Sequence, residues 1–203
     1  MALGFNFDTS GSGQKFLAAV SFDARSGDMT ITNREPQSDG TWEKTEIGVS
    51  YPTHAICDLA NIDIGWSLYD AGKYNSVYVK SGDKIPAMPS AGHKKAIKLR
   101  MFFKDHGLRE FKSSSVSVLR VIDAIHTQAL DQQSANPGKM PVVAITGIES
   151  VKIKTKEGDA KFKIPVMEIV KWVEPPAEMK EAAQPVAEKP KAATAVADLD
   201  EDF

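Results

Sequence analysis

One cysteine, Cys57, in 203 residues rules out a disulfide within the chain and any zinc site built on paired cysteines. Histidine is nearly as scarce: His54, His93, His106 and His126 are the only four, and no two stand at helical metal-site spacing. His54 and Cys57 are three apart in a strand-like stretch, so they face opposite sides and do not form a catalytic pair. No stretch reaches the roughly 18 continuous apolar residues of a membrane span. The N-terminus shows no basic flank ahead of an apolar core. A cytoplasmic protein without a signal peptide is therefore expected, in a bacterium or, if phage-encoded, in the host cytoplasm. Nucleophile-elbow, kinase and dinucleotide signatures are missing, and Gly11-Ser12-Gly13-Gln14-Lys15 lacks the full spacing of a phosphate-binding loop. Asp58 and Asp63 flank Leu59-Ala60-Asn61-Ile62 and in principle make a magnesium pair, but aspartates so placed more often cap turns. The reading is a protein that is not an enzyme, with no metal and no cofactor.

What is present is mostly β-pattern. Phe16, Ala18, Val20 and Phe22 alternate ahead of the turn signal Asp23-Ala24-Arg25-Ser26-Gly27, and a second run follows through Met29 and Ile31. That predicts a hairpin. Trp42–Val49 predicts another strand after Ser38-Asp39-Gly40, and His54–Tyr69 predicts two strands or one bent at Gly65. Val77-Tyr78-Val79 is short and β-like, and Ile85–Gly92, with two prolines and a glycine, reads as a loop. Ser113–Gln133 switches to helical period, with Val118, Leu119, Ile122, Ile125 and Ala129 in one stripe, Ser114 or Ser115 at the N-cap and Asn136-Pro137-Gly138 after the end. Val142–Ile148 reads as a buried strand. Val151–Thr155 and Lys161–Trp172 form a hairpin in which Pro165 implies an edge or a bulge. The sum is eight to ten short strands and one helix. It points to a mainly β protein with an OB-fold-like barrel, elaborated by extra hairpins and one helix.

Charge is unevenly placed. Glu174–Phe203 holds eight acids against three lysines, a net of −5, while the preceding 173 residues hold 22 bases and 19 acids, a net of +3. Lys84–Lys112 alone carries eight bases and two acids. Within it Ile97, Leu99, Met101 and Phe103 alternate with Lys98, Arg100, Phe102 and Lys104. Period two puts these sets on opposite faces. One face suits a core; the other offers cations around a ring, the chemistry that grips a single strand through phosphates and stacked bases. Trp66, Tyr69, Tyr74 and Tyr78 cluster just upstream, although tryptophan is usually largely buried and Trp66 also reads as core. Lys152, Lys154 and Lys156 form a second basic stripe. A solvated outer face accounts for either stripe equally simply.

The chain ends Asp198-Leu199-Asp200-Glu201-Asp202-Phe203, four carboxylates in five residues and then an aromatic. Upstream, the stretch from Glu174 to Ala197 is Ala, Pro, Glu and Lys with little to bury, so it is expected to be a disordered tether. This layout, an acidic tail ending in Phe on a β-rich domain, resembles the single-stranded DNA-binding proteins of bacteria and their phages. The bacterial family's usual ending is Asp-Ile-Pro-Phe, whereas this chain has Asp-Glu-Asp-Phe and none of that family's body sequence. The resemblance therefore points to a phage protein with its own elaborated barrel. It implies single-stranded DNA as ligand, and replication and recombination proteins as partners held by Asp198, Asp200, Glu201, Asp202 and Phe203. No membrane partner is implied, and self-association into a homo-oligomer stays open. The expected organisation is an arm over 1–15, a nucleic-acid-binding domain over 16–173, and a linker with acidic tail over 174–203. The alternative is a virion or scaffold assembly protein whose basic stripes are merely solvated.

Overall fold

The computed structural model describes residues 18–155 and 158–183. The arm over 1–15, Lys156 and the tail residues Asp198, Asp200, Glu201, Asp202 and Phe203 lie outside the described residues. Strands dominate what is described, and they meet their expected places where alternation is strict. β1 (Ala19–Phe22) and β2 (Met29–Pro36) form the first hairpin. Its turn is set by the Asp23 carboxylate, which accepts the Arg25 N–H at 2.7 Å. β3 (Trp42–Val49) returns along β2, and β4 (Thr53–Cys57) leads through a short 3-10 turn to β5 (Asp63–Asp70) and β6 (Lys73–Lys80). β7 (Lys94–Phe103) is the central strand, pairing with β4, β5 and β8 (Gly107–Ser113). Helix α1 (Val116–Gln133) then crosses to β9 (Met140–Thr155) and β10 (Gly158–Val173), and α2 (Ala177–Ala183) follows.

The hairpin turn of β5 and β6 carries an evident local misfit. Ala71 and Gly72 both take positive φ, +47° and +78°, as a two-residue turn matching the strand twist requires. A β-carbon disfavours that region, and Asn tolerates it better than Ala. Ala71→Asn is expected to raise stability by about 1 kcal/mol, measured as a rise in the urea midpoint at unchanged slope. A fall in the midpoint would contradict the assignment.

The sheet order is β10-β9-β4-β7-β8-β1-β2-β3, with β5 and β6 branching from β7. The barrel expected from the sequence is not closed, since no pairing among the described residues joins β3 to β10. The sheet nevertheless curls, because strand twist accumulates across it. A single bond from the Lys163 N–H to the Ala24 carbonyl, 2.7 Å, brings β10 against the β1–β2 turn. A turn offers no further ladder, so the closure stops there. Pro165 sits in β10, the sheet's edge, next to a register shift, as its missing N–H demands.

One face of this sheet is the core. Ile31, Leu99, Met101, Val143 and Ile145 pack there against the stripe Val118, Ile122, Ile125 and Ala129 of α1. Ser115 occupies the N-cap, but its hydroxyl pairs with the Ser117 hydroxyl at 2.9 Å and makes no cap bond. Cys57 is fully buried, and that burial, with Asp58 beside it, pushes its thiol far above the ordinary range, so it is chemically inert.

Packing also extends beyond Val173, where the linker is expected to begin. Met179 of α2 is 0% exposed, and the Glu178 carboxylate accepts the Leu108 N–H at 3.1 Å. These two anchors dock α2 at the start of β8, so residues 177–183 belong to the folded body. One apolar residue with a place to go outweighs a polar, Ala-rich surround.

Candidate nucleic-acid interface

Across from the core, the outer sheet face displays the residues that alternation assigns to it. Lys98, Arg100 and Phe102 of β7 stand beside Lys112, Glu110 and Leu108 of β8. Ile56 of β4 lies opposite Phe102, and Asp63 of β5 lies opposite Lys98. The face falls into three parts along β7, over about 20 Å at 3.3 Å per residue.

The first part is aromatic. Tyr69 and Tyr74 are cross-strand partners at the tip of the β5–β6 hairpin, and Tyr78 lies opposite Gly65. Gly65 has no room for a side chain: a β-carbon there would stand 1.9 Å from the Val77 carbonyl oxygen. This close approach lets β6 fold toward β7 and β8. Tyr78 then lies against Lys98 and Tyr74 against Lys112, with ammonium-to-ring distances of 5.4 and 5.7 Å. The two phenols share a hydrogen bond of 2.7 Å. Burial first, then that bond, raise the Tyr78 pKa, so the phenol stays neutral. Tyr69 is 73% exposed and free to receive a flat ligand.

The second part is an ion-pair network. Lys98 lies 3.0 Å from Asp63 and 4.0 Å from Glu110, Lys80 lies 2.7 Å from Asp63, and Lys112 pairs with Glu110. Burial alone would raise the Asp63 pKa, but the hydrogen bonds and charges of Lys80 and Lys98 outweigh it and hold the carboxyl below its usual value. Arg100 is paired closely with Asp58. Asp58 is 1% exposed, and it also accepts from the Asn61 amide at 2.8 Å. The two aspartates weighed as a magnesium pair are thus each occupied by cations. Among the described residues no group of His, Cys, Asp and Glu is placed to hold a metal ion, and no helix is long and apolar enough to cross a membrane.

The third part is a trough of about 550 Å³. Ile56, Phe102, Val142 and Val170 make its apolar lining, and Lys104, Lys171 and His54 border it. Neither Lys104 nor Lys171 has a carboxylate partner among the described residues. Bulges in both long strands shape this end. Val170 is the extra residue of β10, between Ile169 and Lys171, and it is pushed outward to the rim.

The structure therefore brings Lys98, Arg100, Phe102, Lys104, Tyr69 and Tyr78 onto one face and leaves out others. Trp66 pairs with Lys95 on the core side of β5, and its indole N–H donates to the Pro86 carbonyl at 2.9 Å. It anchors the loop before β7. Lys152 and Lys154 are exposed but face elsewhere. Thr146 is an extra residue in β9, and it reverses the alternation beyond it. Their stripe, shared with Lys161 and Lys163, runs on from Ile148, whose side chain meets Gly27 of the β1–β2 turn. The same reversal turns Val151 and Phe162, a cross-strand pair, to the outer side. His54, Ile56, Val142, Val170, Lys171 and Phe162 are the members that sequence reasoning missed. Val142 belongs to an apolar run that reads as buried on both faces, and bulges leave no signature in a single sequence.

No family model, no curated protein and no solved structure matches this chain.

Proposed function

We propose that the chain binds single-stranded DNA without base preference, in phage or bacterial DNA replication, recombination or repair, and catalyses no reaction. The observation that carries this reading is the outer face of β7. Phe102 lies in an apolar trough bordered by two lysines that have no carboxylate partner among the described residues, and tyrosines in cation–π contact stand at the opposite end. Rings supply stacking worth roughly 1–3 kcal/mol per base, for any base, and cations meet phosphates. A curled, mainly antiparallel sheet, in which only β1 and β8 run parallel among the described strands, with one helix between strands and its ligand across the strand face is close to the OB-like arrangement, and the proposal takes the fold in that sense. Lys98 and Arg100 hold the platform in shape, while phosphates fall to Lys104 and Lys171. The acidic end, Asp198 to Phe203, recruits replication and recombination proteins. A second reading, an assembly protein with a solvated face, is favoured by the carboxylates already paired with Lys98, Arg100 and Lys112.

Salt separates the two readings. Each phosphate contact on a single strand contributes about −0.7 to the slope of log K against log salt. Lys104→Gln combined with Lys171→Gln is expected to make the slope for oligo(dT) shallower by about 1.4, read by fluorescence anisotropy. A slope equal to that of the native protein would move the phosphate path away from this face, to Lys152, Lys154 and Lys161.

A further inference from the structure

We propose that the trough around Phe102 and a second pocket beside it form a seat for one nucleotide, the trough taking the base and the pocket its phosphodiester. This rests on the single-strand reading and states what one nucleotide of the strand meets. The second pocket has a volume of about 350 Å³ and lies between the β3–β4 connection and the β7–β8 turn. Ser50 and Pro52 come from the first, and Asp105 and His106 from the second. His54 and Lys104 line both cavities, so the two adjoin at these side chains, at the end of the sheet. Their volumes fall in the range of about 300–1,000 Å³ usual for small-molecule sites.

The chemistry changes sharply across the shared border. On one side Ile56, Phe102, Val142 and Val170 come from four different strands and present one ring and three aliphatic side chains. That surface matches the two apolar faces of a nucleobase and offers no donor or acceptor set that would choose among bases. On the other side Lys104, His54 and His106 supply donors for phosphate oxygens. Asp105 faces the same pocket. Its charge opposes a doubly charged terminal phosphate more than the single charge of an internal phosphodiester. The occupant is therefore a nucleotide within a strand, with its sugar at the His54–Lys104 border. The bulge at Val170 belongs to this design: the extra residue sets an apolar side chain on the rim, 46% exposed, where a bound base would cover it.

The test uses the full-length protein and three probes: the dinucleotide TpT, thymidine and deoxyribose 5-phosphate. Methyl chemical shifts of Ile56, Val142 and Val170 report the base. TpT and thymidine are expected to move these methyls, with TpT about tenfold tighter because of its charge-assisted contacts, and the sugar phosphate is expected to leave them in place. Lys104→Gln with His106→Gln should reduce TpT to the affinity of thymidine. Val170→Glu, a change at an exposed bulge, should abolish the methyl response and weaken oligo(dT) about tenfold, the loss of one stacked base. Unmoved methyls in a protein that still binds oligo(dT), or native oligo(dT) affinity in V170E, would overturn the seat and leave the single-strand reading standing. TpT seated in a protein that binds no oligo(dT) would support the seat and overturn the single-strand reading.

Discussion

Arg100→Ala is expected to destabilise the fold by about 3–5 kcal/mol, the usual cost of stranding a buried charge. Arg100 lies on the outer face, and a count of cations would make it a DNA contact. Its partner decides otherwise. Asp58 is 1% exposed and holds the guanidinium in a close pair, while the Asp58 N–H donates to the Arg100 carbonyl at 3.0 Å. Removing the cation leaves an ionised carboxylate away from water with only Asn61 to satisfy it. Urea unfolding of the variant reads the loss directly. Adding Asp58→Ala to R100A should restore part of it, because the stranded charge goes too. A single variant within about 0.5 kcal/mol of native, the range of ordinary surface changes, would contradict the structural role. Loss of DNA binding in R100A then says little about contact, since the platform itself is compromised.

Gly65→Val is expected to cost about 3 kcal/mol, at the upper end for overpacking. Backbone leaves the new side chain no place: its β-carbon would meet the Val77 carbonyl oxygen at 1.9 Å and the Tyr78 Cα at 3.0 Å. Rotamer changes cannot relieve a clash with main chain, so β6 must move away from β5. The contacts of Tyr78 with Lys98 and of Tyr74 with Lys112 go with it. Amide chemical shifts should change along Lys73–Lys80 and scarcely at all in α1. A variant of native stability with native β6 shifts would mean that the hairpin tolerates a side chain there, and the close approach would lose its role in building the aromatic end.

How much of this was legible in the sequence follows from where periodicity survives. β7 and the start of β2 alternate because one side is core and the other water, and α1 shows its stripe for the same reason. β8 does not. Its two buried apolar residues, Leu108 and Phe111, are three apart and so lie on opposite faces, and no alternation is visible. The platform was half legible. Lys98, Arg100, Phe102 and Lys104 share a face because β7 is regular. That Lys98 and Arg100 are spoken for depends on Asp63 and on Asp58, 42 residues from Arg100, and local pattern carries no such pairing. The Lys152–Lys154 stripe is turned away from the β7 face by one residue, Thr146. A single insertion reverses every side chain beyond it. Trp66 was ambiguous by type, and its bond to Pro86 resolves it as an anchor.

Single-strand binding by the outer face of β7 is open to one direct measurement. Labelled oligo(dT) is titrated with the full-length protein and followed by anisotropy at a low and a higher salt concentration, with unlabelled duplex as competitor. Tight binding at low salt is expected, weakening steeply with salt and not displaced by duplex, whose bases are already stacked and unavailable to Phe102 and Tyr69. Absence of binding at low salt, or displacement by duplex at equal concentration, would contradict it and favour the assembly reading of the same surface.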